Sequence, residues 1–352
     1  MASKRKRDPG PVTAPQPTSE QPARERHRVS WFQWAVGVLL TAVVALGGSI
    51  WNSYHEIAKH NGQIDARIDR SLMLDGLVAK SLISINQIDV NLERQTYGQA
   101  ILYADEFAKS IESGRQTLGI VKGQNTIDPL YKAYAELVIV SNYYLADAYY
   151  KQARLDTSKE AFRYLNADKI QRAGEEIIAW DSSNWLGYRY TAIGLWRKQL
   201  WTAGEKPTLG AISRFFQGSI DRNDGFNPDW YNIAELHFTN GDFVTAFSLA
   251  NKALEMNGNL SARAKRTMYF IIHASQFMIE KDQSIAAVVD GFNKDSASPS
   301  HSSGNAESRS NIWGEHFMQH FFASYRDTTA GTSAKIKELE AVYYDVLRLG
   351  KR

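Results

Sequence analysis

The 352-residue chain contains no cysteine. That excludes disulfides, thiolate catalysis, a lipid-modified cysteine, and zinc or iron–sulfur sites ligated by cysteine. Proline is scarce too: five of nine (Pro9, Pro11, Pro15, Pro17, Pro22) fall in the first 28 residues, leaving four for the rest. A chain so rarely interrupted is free to build long helices. A net positive excess is missing from the body of the protein. Residues 1–28 carry +4 (Lys4, Arg5, Lys6, Arg7, Arg24, Arg26 and Arg28 against Asp8, Glu20 and Glu25), whereas the whole chain carries +3, so the remainder is at −1. A nearly neutral body lacks the basic stripe of a nucleic-acid binder, and no nucleic-acid partner is expected.

Motifs of chemistry are lacking as well. There is no phosphate-cradling glycine loop, nucleophile elbow or dinucleotide fingerprint. No catalytic residue and no cofactor is therefore expected, and the chain reads as a non-enzyme. The nearest approach to a metal motif, Glu315-His316 with His320, has Phe317 where a zincin needs glutamate. Phe317, Phe321 and Phe322 make that segment a packed aromatic face, so no metal site is assigned. Acid pairs such as Glu175-Glu176 and Asp221 with Asp224 read as solvated faces, and His237 and His273 as structural histidines.

What is present begins with an uncharged run. Trp31 to Trp51, WFQWAVGVLLTAVVALGGSIW, carries no Asp, Glu, Lys or Arg. As a helix it would span about 30 Å, the thickness of the hydrocarbon layer. Trp31, Trp34 and Trp51 sit at its ends, where an indole keeps its N–H among headgroups. Arg24, Arg26 and Arg28 precede it and a mixed flank follows, so the positive-inside bias places the N-terminus in the cytoplasm and the C-terminal part outside. Gly37, Thr41, Ala45 and Ser49 recur every four residues and offer a face for close self-association in the bilayer, hence a homo-oligomer contact.

The expected organisation follows: a disordered basic cytoplasmic tail at 1–28, a transmembrane helix at 29–52, an amphipathic helical stalk at 53–95, a helical domain at 96–292, a flexible Ser-rich loop at 293–310 and capping helices at 311–352. A helix beginning at Tyr97 is expected to end at Gly123-Gln124-Asn125, and Asp128-Pro129 to open the next. No stretch sustains a period of two, so the class is all-α.

One segment has repeat character. In NPDWYNIAELHFTNGDFVTAFSLANKALEMNGN, residues 227–259, the sequence runs Trp230, Ile233, Ala234, His237, Gly241, Phe243, Ala246, Ala250, Ala253, Leu254 and Gly258. This resembles the tetratricopeptide repeat. Ala234, His237 and Gly258 stand for the usual glycine, tyrosine and proline. Weaker units flank it: Trp185 and Tyr188 with Ala211, Phe215 and Gly218 upstream, Ser261–Glu280 and Gln283–Phe292 downstream. The resemblance implies a solenoid of helical hairpins, with small residues where helices approach and an inner groove lined by the first helix of each unit. Carried onto this sequence, the groove positions are Tyr190, Tyr231, Asn232, Glu235, Phe238, Lys265, Arg266 and Tyr269. Leu186, Tyr190 and Ala262 stand where the carboxylate-clamping variant of the family would need Lys, Asn and Lys, which argues against capture of a terminal carboxylate.

The combined reading is a TPR-like solenoid behind one membrane helix and an amphipathic stalk, in the bacterial inner membrane with its domain in the periplasm. Its expected partners are the bilayer, through residues 31–51, and other proteins of an envelope complex, for which it acts as scaffold or assembly factor. The rival is a small-ligand or enzymatic site among helices 96–180, lined by Tyr131, Tyr134, Tyr143, Tyr144, Tyr149 and Tyr150. The orientation is testable on whole cells. Protease added outside spheroplasts should digest the chain beyond Trp51, and protection of that region there would reverse the assignment.

Overall fold

The computed structural model describes residues 61–124, 126–155, 160–201, 207–223, 229–256, 260, 262–280, 282–296, 321–325 and 330–343, with Gly37 and Leu39. The tail, nearly all of the membrane segment with Thr41, Ala45 and Ser49, most of the Ser-rich stretch, and His316 and His320 lie outside the described residues. Among those described there is no strand, and no helix is long and apolar enough to cross a membrane. The chain is all-α.

In order the helices are α1 (Asn61–Glu93), α2 (Tyr97–Leu118), α3 (Pro129–Leu155), α4 (Glu160–Trp180), α5 (Trp185–Trp201), α6 (Leu209–Arg222), α7 (Asp229–Thr239), α8 (Phe243–Met256), α9 (Ala262–Ile279), α10 (Ile285–Ser296) and α11 (Ala330–Val342). Each of α1 to α10 packs on its successor, and odd helices also touch odd ones: α1 with α3, α3 with α5, and α7 with α9. Helix α11 closes against α9 and α10. The result is an alternating array in which short connections place consecutive helices side by side.

Two expectations need correction. Helix α2 stops at Leu118, not at Gly123, because Gly119 takes the left-handed conformation (φ 64°). The amides of Gly119 and Ile120 then donate back to the carbonyls of Gln116 and Arg115, which is the Schellman closure of a helix. Gly123 is also left-handed (φ 78°), but it lies in the following turn. The region expected to be a stalk is one 33-residue helix, α1, that lies against α2 and α3. Leu74, Val78, Ile85, Ile88 and Leu92 are buried there, so α1 belongs to the array and shares its core.

The tightest contact is the α4–α5 crossing, and glycine makes it possible. A Cβ on Gly174 would lie 2.5 Å from the Thr191 amide nitrogen, and one on Gly194 would lie 2.5 Å from that of Gln171. Both neighbours are backbone and cannot rotate away. Gly187 completes the strip, its own Cβ position facing Ile177 and Ile178. Further along, Ala246, Ala250 and Ala253 are wholly buried on α8, so small side chains again set the helix spacing.

Two cores result. One joins α1 to α7, and the other runs from α7 to α11 with the helical segment 321–325. Helix α7 serves both: Ile233 and Leu236 enter the first, Ala234 and Phe238 the second. Trp230 and Leu249 touch both. The second core is aromatic, with Phe238 against Phe243, Phe270 and Phe321 at ring distances of 5.5, 5.8 and 5.0 Å. The prediction from this packing concerns the crossing. Gly194→Ala should force α4 and α5 apart and lower stability by about 1–3 kcal/mol; an unchanged melting temperature would show that the helices are not held this close.

Candidate functional site

The odd-numbered helices carry an unusual density of polar groups. Asp229 opens α7 and is fully buried. Ser219 Oγ donates to its Oδ2 at 2.6 Å, Asn232 Nδ2 donates to Oδ1 at 2.7 Å, and Arg189 Nε of α5 lies 3.7 Å from Oδ1. A buried carboxylate needs such partners, because removing water from a charge is otherwise costly. Its place in the first turn of α7 adds the favourable end of the helix dipole.

The cluster continues onto α3. Tyr190 Oη donates to Asp147 Oδ1 at 3.5 Å, and Asp147 also pairs with Lys151 at 2.6 Å. The Tyr143 ring lies 6.0 Å from that of Tyr190, and the Arg197 guanidinium sits 5.0 Å over Tyr150. Burial, reinforced by Asp147, pushes the phenols of Tyr143 and Tyr190 well up, so both remain O–H donors. Burial works against the charge of Arg189, but Asp229 leads the groups that outweigh it, and the guanidinium is raised. Charges and phenols thus cross from α3 through α5 to α7.

The eight groove positions divide. Tyr231, Lys265, Arg266 and Tyr269 are half-buried and line the α7–α9 end of the same helices. Arg266 lies 5.1 Å over Phe292, and Tyr269 is raised first by burial and then by Asp295. Tyr190, Asn232 and Glu235 are buried within the polar layer. Phe238 requires correction: with no exposed surface and three aromatic neighbours it fills the second core and offers nothing to a partner. Alternation along a helix covered on two sides explains this, since α7 has little face left for solvent.

The six tyrosines considered as a pocket are mostly committed inside the fold. Tyr134 Oη donates to the Ile111 carbonyl at 2.7 Å, Tyr144 to Asp89 at 3.2 Å and Tyr149 to Asp105 at 3.2 Å, while Tyr131 Oη accepts from the Gly123 amide at 3.0 Å. These bonds tie α3 to α1 and α2. Tyr143 and Tyr150 remain half-buried on the α3–α5 side.

A serine–histidine–aspartate chain, missed in the sequence because Ser213 is remote from the other two, joins α6, α7 and the turn that opens α8. Ser213 Oγ is 3.0 Å from His237 Nε2, and His237 Nδ1 is 2.9 Å from Asp242 Oδ2. Both ring nitrogens are satisfied when Nδ1–H donates to the carboxylate and Nε2 accepts from the hydroxyl. The order matches a hydrolase triad, but Ser213 stands within α6, where neighbouring amides donate to helix carbonyls instead of converging as an oxyanion hole. Asp242 has another task as well, since its Oδ1 accepts from the Thr245 amide at 3.2 Å at the start of α8. A similar pair, His273 Nε2 with Asp295 Oδ2 at 2.7 Å, joins α9 to α10. Among the described residues no group of three or more His, Asp and Glu side chains is disposed to hold a metal ion. Compared with models of known families the chain matches none, and no characterised protein matches it in sequence.

The Asp242 geometry carries a pH prediction. Burial alone would raise its carboxyl, but hydrogen bonds from His237 and Thr245 outweigh that and pull it below the ordinary 3.8. A depressed native value stabilises the fold above 3.8 and ceases to do so as the pH falls below it. The stability difference between wild type and Asp242→Asn should therefore shrink on acidification from about pH 5 to about pH 3. A difference constant over that range, read from melting temperatures, would refute the assignment.

Proposed function

We propose that this protein is a membrane-anchored, extracytoplasmic helical-repeat scaffold of the tetratricopeptide type that binds a segment of another protein along its odd-numbered helices. The observation that supports this most is the row of half-buried aromatic and charged side chains on successive odd helices: Tyr143 and Tyr150, then Arg189, then Tyr231, then Arg266 and Tyr269. Rings offer buried area at small entropic cost, and fixed charges set the register of a bound chain. The spacing of residues 227–259 and the array of paired helices support the repeat assignment, and the run Trp31–Trp51 with its basic flank supports the anchor. The bacterial inner membrane remains the compartment that the basic leader and the cysteine-free domain suit best.

The reading as a non-enzyme rests on the Ser213 amide environment and on the internal bonding of the α3 hydroxyls, which leaves the rival pocket few free groups. In this reading the His237 and His273 pairs are structural links within successive hairpins.

The test compares three alanine variants of the full chain, purified from membranes in mild detergent. Tyr231→Ala and Tyr269→Ala should melt near wild type, yet recover the same co-purifying protein with a loss of about 2 kcal/mol, roughly thirtyfold in affinity. Phe238→Ala should instead lose about 3–5 kcal/mol of stability as a core truncation. Unchanged recovery with both tyrosine variants would remove the groove.

A further inference from the structure

Helix α1 is covered on one side by α2 and α3, and its other side, polar at Asp69 and Asn86, carries an apolar patch between them. Leu72 is 61% exposed, Met73 48% and Ile83 63%. Gly76 and Ala79 lie between them, and a Cβ at Gly76 would meet no atom within 4 Å. Leu72 and Ala79 are seven residues apart, and so are Gly76 and Ile83. That is the repeat of a two-stranded contact between helices, with glycine and alanine at its middle for close approach.

We infer that this face of α1 pairs in parallel with the same face of a second copy of the chain. The occupant is argued from charge and from the chain before the helix. In a parallel pair, the residue flanking the seam at one position meets the residue five further on in the other strand. Asp75 then faces Lys80 of the second copy, twice by symmetry. Asp75 is half-buried and Lys80 exposed, on the two flanks of the patch, so their opposite charges are placed to meet across such a pair. An antiparallel pair would lose this register. The parallel sense rests on the membrane reading above: the uncharged run ends at Trp51 and α1 begins at Asn61, so two copies in one bilayer present α1 in the same direction at high local concentration. The exposed patch is short, so the contact forms between anchored copies and not between dilute ones.

The absence of cysteine makes the test direct. Ala79→Cys, Ile83→Cys and Arg70→Cys are each expressed in the full chain, and isolated membranes are treated with a mild oxidant. Ala79 and Ile83 belong to the seam; Arg70 is exposed on a flank of the same helix. The first two should give disulfide-linked dimers quickly and Arg70→Cys slowly. Lys80→Asp added to Ile83→Cys should slow its cross-linking, and Asp75→Lys added to both should restore it by exchanging the charges. Equal rates for all three single cysteines, faster linkage at Arg70, or linkage of Ile83→Cys to a protein of another mass would overturn the pairing. Alkaline carbonate extraction of the same membranes reports separately on the anchor: release of the chain would sink the membrane reading while the cross-linking still decides the α1 contact.

Discussion

Helix α7 has eleven residues, and both hydrophobic cores close against it. An isolated helix of that length is marginal in water, so its existence depends on being covered from two sides. In return it transmits order: Ile233 and Leu236 fix it to the helices before it, while Ala234 and Phe238 fix those after it. Stability in such an array is a sum over neighbouring contacts, and an element shared by two cores couples what would otherwise be separate halves. Gln199 Nε2 donates across from α5 to Asn240 Oδ1 beside α7 at 3.0 Å, and the Arg189–Asp229 pair runs parallel to it, so polar bonds reinforce the same joint.

Closure at the far end uses different chemistry. Segment 321–325 brings Phe321 onto Phe238 and Phe322 onto Tyr343, rings 5.0 and 5.7 Å apart, and Tyr325 covers the left-handed turn at Gly241. Lys335 of α11 donates to the carbonyls of Phe277 and Glu280, where α9 ends and its dipole is negative. The end of a helix leaves carbonyls to satisfy, and its packed side an apolar face to cover. One lysine and a few aromatic rings meet both needs.

Much of this was legible from side-chain size and period. Trp230, Ala234, Gly241, Ala246 and Ala253 mark a hairpin because only small residues and a left-handed glycine permit it, and these are constraints a single sequence displays. The burial of the expected groove residues was less legible. Helical spacing identifies the faces of a helix but not which face a later segment will cover, and Phe238 is buried by Phe270 and Phe321, far along the chain. Gly119 and Gly123 are both plausible helix ends and both left-handed, and only the return hydrogen bonds to Gln116 and Arg115 choose Gly119. The link from Ser213 through His237 to Asp242 has no local signature, since it arises from the packing of α6 against the hairpin after it.

The polar layer of α3, α5 and α7 is best understood against what could replace it. A buried ion pair is seldom more stable than apolar residues of the same volume, since both charges give up water. Arg189, Asp229, Asn232 and Ser219 nevertheless occupy the joint where α5, α6 and α7 meet. Such groups fix relative position: the directed bond from Ser219 to Asp229 allows one setting of α7 against α6, whereas an apolar joint tolerates sliding. The proposed recognition of an extended partner by rings on several helices would require those helices in constant register. The polar layer therefore gives up some stability that an apolar joint would have provided and fixes the spacing of these helices, on which the proposed row of separate contacts would depend.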